Sequence, residues 1–265
     1  MRSTAASVRR FVPFALAPLL AACATVAAPP APVTVGIVAI NDFHGNLEAP
    51  RQSAMMPDGQ GGTVALPAGG AAWLASAIDS VRAKYPNHLT VAAGDLIGAS
   101  PITSSIFLDE PAIGVMNRIG LDFNAVGNHE FDSGVPELLR KQQGGCAQHT
   151  PRAPCQVEQF AGAKFGYLAA NTLRKDGSTL FPATALRSFG KGRNRVTVGL
   201  IGMTLKETGA LVTPAVSQEV TFADEAETAN ALVDGLKRQG ADAVVVLIHQ
   251  GGRTTGQPDP NGCEG

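Results

Sequence analysis

The sequence has few charged and few aromatic residues. Only 16% of its 265 residues are Asp, Glu, Lys or Arg, the formal net charge is -1, and aromatic residues make up 5%. This near-neutral balance offers no basic surface to a phosphate backbone, so we expect no nucleic-acid partner recognised by charge. The sequence contains neither an internal repeat nor a coiled-coil heptad. Its 45% hydrophobic content is sufficient for one sizeable α/β core.

The N-terminal apolar run is too short to span a bilayer. It covers residues 11–22 and follows Arg2, Arg9 and Arg10, which is typical of the first two regions of a secretory signal peptide. The run closes with Leu20-Ala21-Ala22-Cys23, which resembles the lipobox of bacterial lipoproteins. We therefore predict a signal peptide at residues 1–22 and a lipid anchor on Cys23. Ordinary cleavage, with Cys23 left as an incidental thiol, is the alternative.

The residues after Cys23 are only Ala, Pro, Thr and Val up to Pro32. Such low-complexity composition predicts a tether at residues 23–32 that holds a folded domain away from a membrane surface. Together, leader and tether predict a protein of the periplasm or cell envelope. The sequence does not indicate an oligomeric state.

Cysteine is scarce, with four residues in the chain. Cys146 and Cys155 bracket a short loop that contains Pro151 and Pro154. We favour a disulfide between them, which an exported protein allows and which stabilises by roughly 2–3 kcal/mol. A metal-binding pair is the alternative, although His149 is the only nearby histidine. Cys263 is then an odd cysteine, either free or paired with a residue outside this sequence.

Apolar runs and helical patterns alternate along the chain. The helix at 71–84 is expected to pack Trp73, Ala77, Ile78 and Val81 into the core, residues 50–70 are predicted to be a loop, and Gly240 suits the end of the last helix. The alternation predicts a layered α/β sandwich with a mixed sheet, or alternatively a doubly wound sheet. The predicted strands are 33–40, 89–93, 123–126, 164–170, 195–201 and 243–248, and the other predicted helices are 111–119, 136–141 and 223–238.

Polar side chains follow several of these strands. Asp42 and His44 come after the first, Asp95 after the second, Asn128 after the third and His249 after the last. Ligand sites of open α/β sheets lie at the carboxyl ends of strands, so these side chains are expected to converge. Carboxylate, amide and imidazole groups without thiolate suit Mn²⁺, Zn²⁺, Mg²⁺ or Co²⁺. A bridging Asp95 would permit two ions about 3.5–4 Å apart, an arrangement that serves phosphoester hydrolysis.

His129 follows Asn128 directly and is therefore poorly placed to bind the same ion. Asp132 lies three residues further on, where it can accept a proton from the imidazole. This spacing predicts a catalytic pair in which His129 acts as an oriented acid. His249 has an alternative interpretation as a capping histidine at the edge of the core, because a single imidazole after a strand is weak evidence.

Four segments together, at 41–48, 94–95, 127–132 and 249–252, resemble the calcineurin-like metallophosphoesterases, most closely the exported bacterial 5′-nucleotidases. The sharpest is Gly127-Asn128-His129-Glu130. The resemblance implies an α/β/β/α sandwich with mixed sheets over residues 33–265. It also implies metal ligands at Asp42, His44, Asp95, Asn128 and His249, and a catalytic dyad of His129 and Asp132.

The resemblance further implies hydrolysis of nucleoside 5′-monophosphates. Hydrolysis of 2′,3′-cyclic nucleotides or UDP-sugars on the same fold, and a lipoprotein that binds a ligand without catalysis, are the alternatives. Members of the family carry a further Gly-His-x-His or Gly-His-x-Gln element and a C-terminal domain whose aromatic residues clasp the base. Neither occurs before Gly265, so we expect the catalytic domain to be incomplete at its C-terminal end.

Overall fold

The structure, a computed structural model, describes residues 32–50, 53–66, 68–251, 253–254 and 263–264. The predicted leader, Cys23 and the tether up to Ala31 lie outside these residues, as does the side chain of Cys263. Within the described part, no helix is both long and apolar enough to cross a membrane.

The main strands and helices occur where the sequence predicts them, with ends shifted by a few residues. The strands are Gly36–Ile40 (β1), Ala54–Pro57 (β2), Thr63–Leu66 (β3), His88–Ala92 (β4), Phe123–Ala125 (β5), Gly166–Leu168 (β6), Thr172–Arg174 (β7), Thr184–Phe189 (β8), Val196–Thr204 (β9), Val220–Phe222 (β10), Ala243–His249 (β11), Arg253–Thr254 (β12) and Cys263–Glu264 (β13). The helices are Ala71–Arg82 (α1), Ile102–Ser105 (α2), Glu110–Ile119 (α3), Val135–Gln143 (α4), Thr208–Leu211 (α5), Pro214–Glu219 (α6) and Glu225–Arg238 (α7).

Two larger sheets form the centre of the fold. The first is wholly parallel, in the order β1-β4-β5-β6. The second has the order β11-β9-β8 and is mixed, because β11 runs parallel to β9 while β8 runs antiparallel to it. Small antiparallel pairs are formed by β2 with β3, β7 with β10, and β12 with β13.

The buried side chains show that the sheets and helices form four layers. Between the sheets, Leu89 and Val91 of β4 pack with Leu200 of β9. On the outer face of the first sheet, α1, α3 and α4 contribute buried residues such as Ile78, Met116 and Leu138. On the outer face of the second sheet, the helix α7 packs its apolar side against β9 and β11. This arrangement confirms the predicted α/β/β/α sandwich, with the first sheet parallel rather than mixed.

Helix α7 illustrates how local sequence sets the ends of an element. At its N-terminus, the carboxylate of Asp224 accepts a hydrogen bond from the backbone N–H of Glu227 at 3.1 Å, the usual role of an N-cap residue. At its C-terminus, Gly240 adopts a φ of +93° just before the following strand, as the sequence predicts. The chain can therefore turn directly into β11.

Two predictions about the segment before and within α1 are wrong. Residues 50–70 contain the hairpin of β2 and β3 rather than only a loop. All four residues of β3 are exposed, so burial of an apolar face does not account for this hairpin. Trp73 and Ala77 are exposed instead of buried. At 100° per residue, Trp73 lies about 140° around the helix from the buried Ile78, which places it outside the face that packs on the sheet.

The predicted disulfide between Cys146 and Cys155 is confirmed, with the two Cα atoms 5.6 Å apart. The disulfide closes a loop that a partly buried carboxylate also holds in place. The backbone N–H of Cys155 donates to both carboxylate oxygens of Glu110, at 3.1 and 3.2 Å. The loop is thus attached to the start of α3.

Candidate metal centre

The loops after β1 and β4 lie side by side because the two strands are parallel neighbours. The backbone N–H of Asp42 donates to the carbonyl of Gly94 at 3.1 Å, and that of His44 donates to the carbonyl of Asp95 at 3.0 Å. Asp42, His44 and Asp95 all have positive φ values, of 52°, 46° and 52°. Such left-handed conformations are uncommon outside glycine and concentrate at functional sites.

Gly127, which precedes Asn128 after β5, lets a third loop approach the other two. A Cβ atom at Gly127 would lie 2.6 Å from the backbone nitrogen of Asp95. Real Cβ atoms do not approach backbone atoms so closely. A glycine is therefore required wherever these loops meet at this distance.

Asp42, His44 and Asp95 form a group that can hold a metal ion. One ligand atom of each lies within 4.8 Å of the other two. The Nε2 atom of His44 is 3.6 Å from Oδ1 of Asp42 and 3.7 Å from Oδ2 of Asp95. Its Nδ1 atom is 2.8 Å from the carbonyl oxygen of Gly98, so Nδ1 carries the proton and Nε2 keeps a lone pair for a ligand bond.

His249 belongs to the second sheet and lies beside Asp95. It ends β11, and its Nε2 atom lies 3.1 Å from Oδ2 of Asp95. Its Nδ1 atom lies 2.7 Å from the carbonyl oxygen of Ala93, which again assigns the proton to Nδ1. Oδ2 of Asp95 therefore lies near the Nε2 atoms of both His44 and His249. The donor set fits hard or borderline divalent cations.

The charges in this group are strongly coupled. Burial tends to raise the pKa of Asp95, but the hydrogen bond from His249 and its charge outweigh burial, and the pKa is lowered. Burial tends to lower the pKa of His249, yet the hydrogen bond to Asp95 and its charge raise that pKa to about 9. In the absence of a cation, a protonated His249 would thus balance the carboxylate.

His129 and Asp132 form the predicted pair beside this group. The Nδ1 atom of His129 lies 2.9 Å from Oδ2 of Asp132. Burial is the largest influence on His129 and lowers its pKa, but the hydrogen bond and charge of Asp132 reverse the effect, and the pKa is raised. The backbone N–H of His129 donates to Oδ1 of Asp95 at 3.0 Å. Asp132 in turn accepts a bond from the N–H of Ala99 at 3.1 Å.

Asn128 precedes a short 3₁₀ helix at His129–Phe131. Its backbone carbonyl accepts a bond from Phe131 at 3.2 Å. Its side-chain amide makes no hydrogen bond to any residue that the structure describes, which leaves the amide oxygen available. All seven residues predicted for the site therefore lie at the carboxyl ends of strands of the two sheets or in the turn that follows one.

Glu130 also belongs to this site, although no role for it is predicted from the sequence. It is 2% exposed and accepts backbone hydrogen bonds from Asp95 at 2.8 Å, Leu96 at 2.9 Å and Gly127 at 2.7 Å. Burial, and then the charge of Asp95, raise its pKa to about 7. Its carboxylate thus ties the loop after β4 to the loop after β5. The only signal in the sequence was an acidic residue directly after His129.

No protein-family model matches the chain. Among curated proteins, an uncharacterized protein in the pqq-V 5′ region of Acinetobacter calcoaceticus is 52% identical over 162 residues, covering 59% of this chain and 79% of that protein. The endonuclease YhcR of Bacillus subtilis is 34% identical, covering 86% of this chain and 18% of that protein. A protein of Treponema pallidum named "Probable 5′-nucleotidase" is 30% identical, covering 81% of this chain and 32% of that protein.

The solved structures that are similar to this chain also include nucleotidases. The NAD nucleotidase of Haemophilus influenzae superposes with a TM-score of 0.61 at 25% identity, covering 81% of this chain and 34% of that one. Apart from the Acinetobacter protein, this chain thus spans about a third or less of the length of these relatives.

Proposed function

The chain belongs to the calcineurin-like phosphoesterases, the family that includes the 5′-nucleotidases, and on this premise we propose that it is a two-metal phosphohydrolase. Its proposed reaction is the release of phosphate from nucleoside 5′-monophosphates. The relatives named above as nucleotidases support a nucleotide substrate.

The position of Asp95 is the observation that carries the proposal. Its Oδ2 atom lies 3.7 Å from Nε2 of His44 and 3.1 Å from Nε2 of His249, and both rings hold their Nδ1 atom against a backbone carbonyl. Asp42 and His44 would hold one Mn²⁺, Zn²⁺, Mg²⁺ or Co²⁺ ion with Asp95, and Asn128 and His249 would hold a second. Two such ions lower the pKa of a bound water and neutralise the charge of the phosphate oxygens.

His129 supplies the proton in the proposed reaction. Asp132 holds Nδ1 of the ring at 2.9 Å, so Nε2 is the atom free to face the substrate. A proton on Nε2 can pass to the leaving alkoxide oxygen as its bond to phosphorus breaks. The carboxylate of Asp132 stabilises the imidazolium before the transfer. The N–H of Ala99 keeps Asp132 in place.

Hydrolysis of AMP with and without metal tests this function. We expect the chain to release inorganic phosphate from AMP in the presence of Mn²⁺ or Zn²⁺ and to lose this activity in EDTA. UDP-glucose, 2′,3′-cyclic AMP and a single-stranded oligonucleotide should be assayed in parallel, the last because one relative is named an endonuclease. Faster turnover of one of these would change the substrate but keep the chemistry. Metal binding without hydrolysis of any of them would favour a ligand-binding lipoprotein instead.

We also propose that the protein is exported and anchored through a lipid on Cys23. The disulfide between Cys146 and Cys155 supports an oxidising compartment, because such bonds are rare in the cytosol. The proposed location is the periplasm or the cell envelope.

A further inference from the structure

The peptide group between Gly98 and Ala99 connects the candidate metal centre with the pair of His129 and Asp132. Its carbonyl oxygen lies 2.8 Å from Nδ1 of His44, and its N–H donates to Oδ2 of Asp132 at 3.1 Å. The C=O and N–H groups of a trans peptide point in opposite directions. The orientation of this one peptide therefore affects His44 on one side and Asp132 on the other.

This peptide lies between two residues with left-handed backbones. Gly98 has a φ of +81° and Ala99 a φ of +46°. A Cβ atom at Gly98 would lie 2.7 Å from Oδ2 of Asp132 and closer still to the carbonyl oxygen of His129, so only glycine fits there. A left-handed alanine is uncommon and persists where surrounding contacts hold it. The conformation of this loop therefore depends on groups outside it.

Asp109 contacts the loop from outside. Its Oδ2 atom accepts a bond from the N–H of Gly98 at 3.3 Å, and its Oδ1 atom accepts one from Oγ of Ser104 at 2.6 Å. Asp109 and Ser104 are both buried. Ser104 also packs behind the residue that follows His44, because a Cβ atom at Gly45 would lie 2.6 Å from its Oγ atom. Asp109 and Ser104 thus support two loops of the metal centre together.

Asp109 does not have the usual role of an aspartate before a helix. Such a residue normally accepts a bond from an N–H of the first turn, as Asp224 does at α7. The carboxylate of Asp109 accepts no bond from an N–H of α3, a helix described over its whole length. Its φ is +57° and that of Leu108 is +54°, and the carbonyl of Leu108 accepts a bond from the buried Lys141. This backbone directs the carboxylate to Gly98 instead of to α3.

We propose that Asp109 is a positioning residue of the metal centre, which acts through the N–H of Gly98 and orients His44 and Asp132 together. This inference rests on the proposed two-metal reaction and extends it to a residue that contacts neither substrate nor ion. A carbonyl fixed beside Nδ1 of His44 keeps Nε2 directed at the ion and raises the basicity of the ring. The N–H of the same peptide holds Asp132 against His129.

Two variants that tolerate the left-handed backbone test this role. Asp109→Gly removes both acceptor oxygens. Asp109→Asn can accept from Gly98 with Oδ1 and donate to Ser104 with its NH₂ group, because a serine hydroxyl both donates and accepts. Asn and Gly both adopt positive φ more readily than other residues, so a difference between the variants reports the hydrogen bonds. Asp224→Gly is the matched control, because the carboxylate of Asp224 caps its own helix.

The imidazole N–H signals of the metal-free protein, labelled with ¹⁵N-histidine, provide the first measurement. The Nδ1 atoms of His44, His129 and His249 each lie within 2.9 Å of an oxygen atom. We expect Asp109→Gly to move the signals of His44 and His129. The proton on Nδ1 of His44 should exchange with water about 5- to 150-fold faster, the effect of one buried donor left unpaired. His249, whose partner is the carbonyl of Ala93, is the internal reference and should not change.

Unchanged signals of His44 and His129 in folded Asp109→Gly would overturn the proposal, as would equal changes at all three histidines. Ser104→Ala is the second variant and is decisive if Asp109→Gly does not fold. It removes only the hydroxyl that donates to Oδ1 of Asp109. The same two signals should move by smaller amounts in Ser104→Ala, and wild-type signals there would also overturn the proposal.

Kinetics in saturating Mn²⁺ provide the second measurement. Because Asp109 contacts no substrate in this assignment, Asp109→Gly should lower kcat for AMP by about 5- to 150-fold and leave KM unchanged. Asp109→Asn should recover most of the kcat. Asp224→Gly should keep both constants, even where its thermal unfolding midpoint falls. Equal losses of kcat in Asp109→Gly and Asp109→Asn would show that the charge, and not the hydrogen bonds, is required, and would reject the proposal.

The two proposals fail in different ways. Moved signals of His44 and His129 in Asp109→Gly, in a chain that hydrolyses no nucleotide, would reject the phosphohydrolase and keep the positioning role. Unchanged signals together with normal kcat in Asp109→Gly would reject the positioning role and keep the phosphohydrolase. A lower thermal unfolding midpoint as the sole change would limit Asp109 to the stability of α3, which also rejects the positioning role.

Discussion

The Nε2 atom of His249 lies 3.1 Å from Oδ2 of Asp95, although the two residues belong to different sheets. Asp95 follows β4 in the parallel sheet, and His249 ends β11 in the mixed sheet. Packing between the sheets, through residues such as Val91, Leu200 and Leu247, sets this distance. The metal centre is therefore a product of sheet packing as well as of the loops that carry it.

Replacing Asp95 tests the bridge between the ions. Asp95→Asn keeps an oxygen that can accept the bond from the N–H of His129 but loses the negative charge near His44 and His249. We expect the folded variant to lose at least one of two bound metal equivalents, measured by metal analysis after dialysis. Asp234→Asn, at an exposed position of α7, is the control. Full metal content in Asp95→Asn would contradict a bridging role.

His129→Asn separates proton transfer from metal binding. The variant removes the imidazole that Asp132 holds, while the ligand atoms of Asp42, His44 and Asp95 are unchanged. Metal content should remain normal, and kcat for AMP should fall by roughly 10²–10⁴-fold, the usual contribution of general acid catalysis. The kcat of Asp132→Asn for AMP should also fall. If His129→Asn loses as much metal as Asp95→Asn, His129 is a ligand and not an acid.

The placement of the candidate metal-binding residues could be predicted from the sequence because these residues follow apolar strands at short, fixed spacing. Asp42, Asp95 and His249 could each be placed at a strand end without knowledge of tertiary contacts. Glu130 could not be assigned a role in the same way, because its function depends on backbone N–H groups of Asp95 and Leu96 in another loop. Trp73 was misplaced for a related reason: helical spacing shows that an apolar residue lies on a helix, not which face meets the sheet.

Glu130→Gln tests whether one buried carboxylate holds the loops together. Its two oxygens accept bonds from Asp95, Leu96, Gly127 and the amide of Asn124. A glutamine presents an NH₂ group to some of these donors, and each buried group left unpaired costs about 1–3 kcal/mol. We expect a lower free energy of unfolding in urea together with weaker metal binding. Glu158→Gln, at an exposed position three residues after Cys155, should change neither. Unaltered metal affinity in Glu130→Gln would limit Glu130 to a structural role.

Acid stability should depend on Glu137, which is fully buried in α4 beside Arg140 and Lys141. Burial tends to raise its pKa, but the hydrogen bonds and charges of Arg140 and Lys141 outweigh burial, and the pKa is lowered from 4.5. A carboxylate with a lowered pKa stabilises the fold above its unfolded pKa, and this stabilisation is lost as the pH falls below 4.5 towards the folded value.

Glu137→Gln removes that contribution at neutral pH. It takes the paired carboxylate away from the buried Lys141 and leaves Arg140 with Glu110 as its remaining anion. Breaking a buried ion pair typically costs about 3–5 kcal/mol. The free energy of unfolding at pH 7 should fall by an amount of this order, and the fall should shrink as the pH is lowered into the acid range. Glu219→Gln, an exposed position at the end of α6, should show neither effect. A pH-independent loss in Glu137→Gln would mean that packing, and not charge, accounts for its stabilisation.

Cys23→Ser tests the proposed lipid anchor in cells. If Cys23 is lipidated, the wild-type protein should incorporate a labelled fatty acid and partition into the detergent phase of Triton X-114, because acyl chains bind membranes through burial of their methylene groups. Cys23→Ser should lose both properties, whereas Cys263→Ser should keep them. Export itself is monitored by the disulfide between Cys146 and Cys155, which blocks thiol alkylation until the protein is reduced. Incorporation of label by Cys23→Ser would place the lipid elsewhere and contradict the anchor.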